Sequence, residues 1–395
     1  MTSGEIRELI ELTLLSGKCV LLVGAPGTGK TRIAIEVSRD LTRSEPRIVV
    51  GRGDLSYEDL VYRYELRNGS TRIAWGELAL SILASWIRLI NGGPPIWLVL
   101  DEINRFNVDL VLGELFLGLD IEHRRRARVV PLDLLRAAIH DEDLHELLAA
   151  ITKLDTVDVR RTLTQMGKAF SHYGYLPIPY LWRALATMNI VDRSHLHRLG
   201  FALLRRFPIL IFPPLFKDFR SELNDEKIGF ETAPVLEDTV HEALRELTLS
   251  SEDVGIPSDR VLYSISLSKE SVLSALEEFK RVTRVFTHLA KEMSELGIDL
   301  GYSIYVDLYR LLTVAHLLNY RDEAKLADLA VSAFLLPHVG SIVPRLRAEL
   351  LLMGRTKRID RLSRLLDSVS SILGSDSRSA YYCEVLSLEV PAALH

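Results

Sequence analysis

The chain has 395 residues, 48% hydrophobic and 26% charged, with a formal net charge of −5. This is the composition of a globular protein with room for two or three domains, and it excludes both a low-complexity chain and a strongly basic nucleic-acid arm. Two cysteines, Cys19 and Cys383, are too few for a disulfide framework, no apolar run approaches the roughly 18 residues of a membrane span, and no basic region precedes an apolar stretch at the N-terminus, so a reducing cytoplasmic setting without a membrane is expected.

Helical spacing of Ile6, Leu9, Ile10, Leu12 and Leu15 predicts a helix over Glu5 to Leu15, and Gly17 stops it before a first strand, Cys19 to Val23. A glycine-rich loop, Gly24 to Thr31, leads into a helix that runs to about Asp40. Arg47 to Val50 reads as a second strand. Ile96 to Leu100, apolar throughout, reads as a third, of the kind covered by helices on both faces. Asn107 is placed to cap a helix with Val108, Val111, Leu112, Leu115, Phe116 and Leu119 on one face. A long, mostly helical insert follows, about Leu132 to Tyr175, then a fourth strand at Tyr180 to Thr187 and a fifth at Ile209 to Phe212. Alternating strands and helices predict an α/β domain with a mainly parallel five-stranded sheet over residues 1–215. Residues 216–395 lose the strand signals and read as helical, for example at Ser271 to Leu289, Ile304 to Leu318 and Ala324 to Leu335.

The loop carries the most specific chemistry. Gly24, four residues, then Gly29-Lys30-Thr31 is the spacing of a phosphate-binding loop, whose backbone amides cradle phosphate oxygens. Gly24, Ala25, Pro26, Gly27, Thr28, Gly29, Lys30 and Thr31, with Arg32 behind them, are the expected nucleotide contacts. Lys30 would reach the β and γ phosphates, and the Thr31 hydroxyl would bind Mg²⁺. The third strand ends in Asp101-Glu102 at the carboxyl edge of the sheet, where α/β proteins bind ligands. Asp101 is the expected second metal ligand and Glu102 the general base that polarises water. Asn189 could bond both the water and the γ-phosphate as a sensor of hydrolysis, with Asp192 beside it as a further catalytic candidate; Asn189 and Asp192 could also only turn the chain and cap the helix from Arg193, and Asp192 could do both. Arg205 and Arg206 could satisfy a helix C-terminus or supply an arginine finger to a neighbouring subunit; Arg193 is a second finger candidate.

Taken together, Gly24 to Thr31, Ser56-Tyr57-Glu58-Asp59-Leu60, Asp101-Glu102-Ile103-Asn104-Arg105, Gly113-Glu114-Leu115 and Met188-Asn189-Ile190-Val191-Asp192-Arg193-Ser194 with Leu204-Arg205-Arg206-Phe207 resemble the AAA+ nucleotidases, in the branch of the McrB restriction GTPase and the MoxR-like ATPases, with McrB the nearer match. The resemblance covers residues 1–215 and extends loosely over 216–395 as a helical lid with an extension. It implies hydrolysis of ATP, the usual substrate, or of GTP, which McrB uses, with Mg²⁺ at subunit interfaces of a hexameric ring. Output would be remodelling or translocation of a partner. In a McrB-like role a McrC-like nuclease subunit would join the ring and bring it to DNA; a MoxR-like role would be assembly or metal loading of another protein, and a third reading is a nucleotide-gated scaffold that hydrolyses slowly or not at all. Arg310, in the helix after Leu300-Gly301-Tyr302, is a candidate lid sensor or a surface arginine. The long insert, the absence of a preceding DNA-recognition domain and the size of the C-terminal half depart from the McrB pattern.

Overall fold

In the computed structural model the described residues are 3–67, 70–119, 124, 126–189, 203, 206–212, 219–228, 269–298, 300–301, 303–340, 342–353 and 356–387. Helix α1 (Ser3–Leu15) buries Ile6, Leu9 and Ile10 and leads into β1 (Val20–Gly24), all of whose residues are buried. Helix α2 (Lys30–Thr42) starts at the end of the glycine-rich loop, and β2 (Arg47–Val50) follows. Next come α3 (Tyr57–Leu60) and an antiparallel hairpin of β3 (Tyr62–Arg67) and β4 (Ser70–Trp75), then α4 (Glu77–Ile90) and β5 (Leu98–Asp101).

Strand β8 (Ala184–Asn189) and strand β9 (Ile209–Ile211) complete a five-stranded sheet in the order β2-β5-β8-β1-β9, parallel at every pairing. Between them and β5 lie α5 (Val108–Leu112), α6 (Phe116–Leu119), a two-residue ladder of β6 (Val130–Pro131) with β7 (Tyr175–Leu176), and the insert helices α7 (Leu132–Ala138), α8 (Glu142–Thr152) and α9 (Thr156–Ala169). The ladder closes the mouth of the insert. Trp86 Nε1 donates to Pro177 O at 2.6 Å and Asn91 Nδ2 to Thr162 Oγ1 at 3.0 Å, tying the insert to α4.

In the parallel sheet the chain leaves β1 for the far edge at β2, and only β9 lies on the other side of β1. That reversal opens a crevice at the carboxyl end of β1, the position where open α/β sheets take ligands. The register Val23↔Met188 and Gly24↔Asn189 sets the last residue of β8 beside the start of the loop.

Several predicted boundaries shift. The fourth strand starts at Ala184 rather than Tyr180 and reaches Asn189, because Tyr180–Leu181 form a turn whose carbonyl is held by two buried arginines, Arg124 Nη1 at 2.5 Å and Arg183 Nη1 at 2.7 Å from Tyr180 O. Burial and the nearby Arg124 pull the Arg183 guanidinium down to about 9. Asn107 does cap a helix, accepting from the Leu110 N–H at 3.2 Å, but that helix ends at Leu112. The hairpin β3–β4 and the helix α4, twelve of whose fourteen residues are buried, are elements the sequence reading lacked.

The C-terminal described residues are helical: α10 (Lys269–Glu278), α11 (Lys280–Glu295), α12 (Ser303–Leu317), α13 (Glu323–Ala330), a π-helical turn Val331–Leu335, α14 (Leu336–Gly340), α15 (Val343–Met353), α16 (Lys357–Leu373) and α17 (Arg378–Ser387). The predicted helix from Ser271 to Leu289 bends at the buried Phe279, with Phe279 N–H to Ala275 O and Thr283 N–H to Phe279 O bonds carried across the bend. These helices pack on the sheet domain through Lys325–Glu5 at 2.8 Å and Lys18–Asp307 at 2.6 Å. Among the described residues no helix is long and apolar enough to cross a membrane.

Candidate nucleotide-phosphate site

Gly27 and Gly29 have φ of +76° and +86°, left-handed values that a side chain would strain, and they curl the loop so that α2 begins with its amides toward the crevice. Gly24 is confined differently: a Cβ there would lie 2.8 Å from Phe212 Cβ. Lys30 is buried, and its ammonium donates to Gly24 O at 3.0 Å, Ala25 O at 2.7 Å and Thr28 Oγ1 at 3.3 Å. Burial lowers its pKa, while the carboxylates of Asp101 and Glu102 act in the opposite direction. The loop therefore concentrates donors and one cation at the sheet's carboxyl edge.

Opposite the loop, Thr31 Oγ1 donates to Asp101 Oδ1 at 2.6 Å. Glu102 turns out of β5 in a left-handed conformation, φ 55° and ψ 52°. Its Oε1 accepts from Asn189 Nδ2 at 2.6 Å and its Oε2 lies 2.5 Å from Arg105 Nε. Gly51 makes this turn feasible. Its N–H donates to Asp101 O at 2.7 Å, and a Cβ on it would meet Glu102 O at 2.2 Å. Thr187, two residues before Asn189 on β8, donates from Oγ1 to Asp101 Oδ1 at 2.5 Å and accepts from the Glu102 N–H at 3.0 Å.

Of the residues expected at the site, Gly24 to Thr31, Asp101, Glu102 and Asn189 converge. Arg32 is exposed and its side chain turns to Glu36 on the outer face of α2, 2.7 Å away, instead of to the loop. Arg206 lies over the Phe116 ring at 5.4 Å. Asp192, Arg193 and Arg205 lie outside the described residues. Arg310 is corrected on both counts: it is buried in α12 beside Asp307, and Asp307 pairs with Lys18 ahead of β1, at the sheet edge opposite the loop. Thr187, Arg105 and Gly51 were given no role from sequence. Arg378 is the fourth addition. Buried at the start of α17, it donates from Nε to Ile211 O at 3.1 Å, next to the Phe212 that touches the loop.

Asp328, 1% exposed, sets that arginine's helix by accepting from the N–H groups of Arg378 at 3.0 Å and Ser379 at 2.8 Å, and from Ser221 Oγ at 2.8 Å. Each such buried donor left without a partner costs about 1–3 kcal/mol.

Donor chemistry fits Mg²⁺: Thr31 and Asp101 offer two hard oxygens, and Mg²⁺ commonly takes one or two protein oxygens with phosphate and water completing its shell. Among the described residues no group of three or more His, Cys, Asp or Glu could hold a metal by itself.

Comparison with known proteins bears on part of the chain. Residues 19–207 match the profile of the AAA domain, dynein-related subfamily, and the fold is that of an AAA-type P-loop α/β domain followed by helices. Over 43 residues, 11% of this chain, the sequence is 49% identical to RuvB-like helicase 1 of Debaryomyces hansenii; that stretch is 9% of the relative's length. A structural alignment covering 90% of each chain relates the protein, at 14% identity and a TM-score of 0.37, to a crystal structure from Cytophaga hutchinsonii provisionally assigned as an ATPase.

Proposed function

We propose that the protein is a Mg²⁺-dependent nucleoside triphosphatase of the AAA+ type. The observation that supports this most is the convergence of Lys30, Thr31, Asp101, Glu102 and Asn189 on one crevice, from the start of α2 and the ends of β5 and β8, within an AAA-domain match. In this reading Lys30 leaves its loop oxygens to neutralise the β and γ phosphates, and the amides of Gly27 to Thr31 cradle them. Mg²⁺ held by Thr31 and Asp101 supplies further charge neutralisation there. Glu102 accepts a proton from the attacking water, with Asn189 orienting both carboxylate and water.

Residues 216–395 serve as the lid and its extension, and Arg378 rather than Arg310 reports nucleotide state to it, since its bond to Ile211 O ties α17 to the strand beside the loop. The protein works as a ring in which nucleotide sits between subunits, and Arg205 is our finger candidate because Arg206 is committed to Phe116. Output is remodelling or translocation of a partner. The segment Met188 to Ser194 with its downstream arginine pair favours a McrB-like motor that reaches DNA through a McrC-like nuclease subunit.

Phosphate release measured with ATP and with GTP, each with and without Mg²⁺ and DNA, tests this reading. We expect Mg²⁺-dependent turnover of at least one nucleotide, rising with DNA once the nuclease subunit is added. No turnover of either nucleotide by a protein that binds it would leave only a scaffold.

A further inference from the structure

Parallel pairing of β5 with β8 runs Leu98↔Ala184, Val99↔Leu185 and Leu100↔Ala186 and then stops. At the next step the two strands meet through a side chain. The Thr187 hydroxyl, on a residue only 1% exposed, has one proton, and it goes to Asp101 Oδ1; a lone pair of the same oxygen takes the Glu102 N–H. Glu102 has left the extended conformation at this point, so its amide finds a hydroxyl where the ladder would have offered a carbonyl. One oxygen thus fixes both the carboxylate beside Thr31 and the backbone of the residue whose carboxylate faces Asn189.

We propose that Thr187 is a positioning residue for hydrolysis, acting through Glu102. The inference rests on the reading of Glu102 as the base. Without the hydroxyl the left-handed turn loses its backbone anchor on β8, leaving only the side-chain contact with Asn189 of that strand, and the Glu102 carboxylate drifts relative to the phosphate loop. Misplacement of a reacting group by about 1 Å costs on the order of a hundredfold in rate. The Lys30 ammonium and the loop oxygens it holds do not depend on Thr187 for their hydrogen bonds, so nucleotide affinity measured without Mg²⁺, which does not call on Asp101, is preserved.

The test compares Thr187→Val, which keeps the shape and removes the hydroxyl, with Thr187→Ser, which keeps the hydroxyl, in the full chain. We expect Thr187→Val to bind a fluorescent ATP analogue without Mg²⁺ as the parent does while kcat with Mg²⁺ falls on the order of ten- to a hundredfold, and Thr187→Ser to stay within about threefold of the parent. Single-turnover rates in a Glu102→Gln background separate positioning from scaffold: there Thr187→Val should add no further loss. Should Thr187→Val shift the thermal midpoint, Thr187→Ala is carried through the same comparisons. Parental kcat in the hydroxyl-free variants, a serine variant as slow as valine, or a loss that multiplies fully in the Glu102→Gln background would each overturn the inference. If Glu102→Gln itself turned over at the parental rate, the reading of the base would fail instead.

Discussion

Glu102→Gln is expected to keep nucleotide binding and to lower turnover by at least about a hundredfold, the usual contribution of a positioned general base. Glutamine retains a carbonyl oxygen to accept from Asn189 Nδ2, so the geometry around Oε1 survives. What it loses is the charge that draws the proton from water. Binding survives because the phosphate contacts come from the loop and Lys30, not from this carboxylate. Saturation with ATP or GTP should therefore occur at parental concentrations while phosphate release stalls. Parental turnover by the variant would remove Glu102 from the reaction.

The arginines carry the second large effect. A finger is useless to the subunit that bears it, so Arg205→Ala should bind nucleotide normally and hydrolyse it on the order of a thousandfold more slowly. Mixing separates this from a folding defect. Arg205→Ala subunits keep their own loop and base, and Lys30→Ala subunits keep their arginine, so mixed rings should recover turnover at the shared interface. Arg206→Ala should behave differently, losing about 1 kcal/mol of stability with its place over the Phe116 ring. Mixed assemblies without recovery, or full turnover by a protein that stays monomeric with Mg²⁺ and nucleotide, would dismiss both the trans arginine and the functional ring.

The site's chemistry was legible where it depends on consecutive residues. Gly24 to Thr31 must be contiguous to curl around a phosphate, and Asp101-Glu102 must end an apolar strand, so both stand out in the chain. The conformation of Glu102 was not legible, because it depends on Gly51, far from it in the chain, having no Cβ where Glu102 O passes. Arg378 was hidden for a similar reason: its partner Ile211 is 167 residues distant. The hairpin β3–β4 is another matter. Tyr62, Tyr64 and Leu66 alternate with polar residues ahead of Asn68-Gly69, and Thr71, Ile73 and Trp75 complete one face after it, which is the pattern of a two-residue hairpin turn. Helix α4 gave no clear period because nearly all its positions are buried.

If the loop from Gly24 to Thr31 holds the phosphates of a nucleoside triphosphate, equilibrium binding of Mg–ATP and Mg–GTP must separate the parent from Lys30→Ala. Among the described residues Lys30 is the cation whose ammonium lies against Gly24 O and Ala25 O, at 3.0 and 2.7 Å, and each charge-assisted contact it would exchange these for on a phosphate contributes about 1.5–3 kcal/mol. Saturable binding to the parent, weakened on the order of a hundredfold or more by Lys30→Ala, is the predicted result. Equal affinity in the two proteins, or no binding of either nucleotide to the parent, would contradict it.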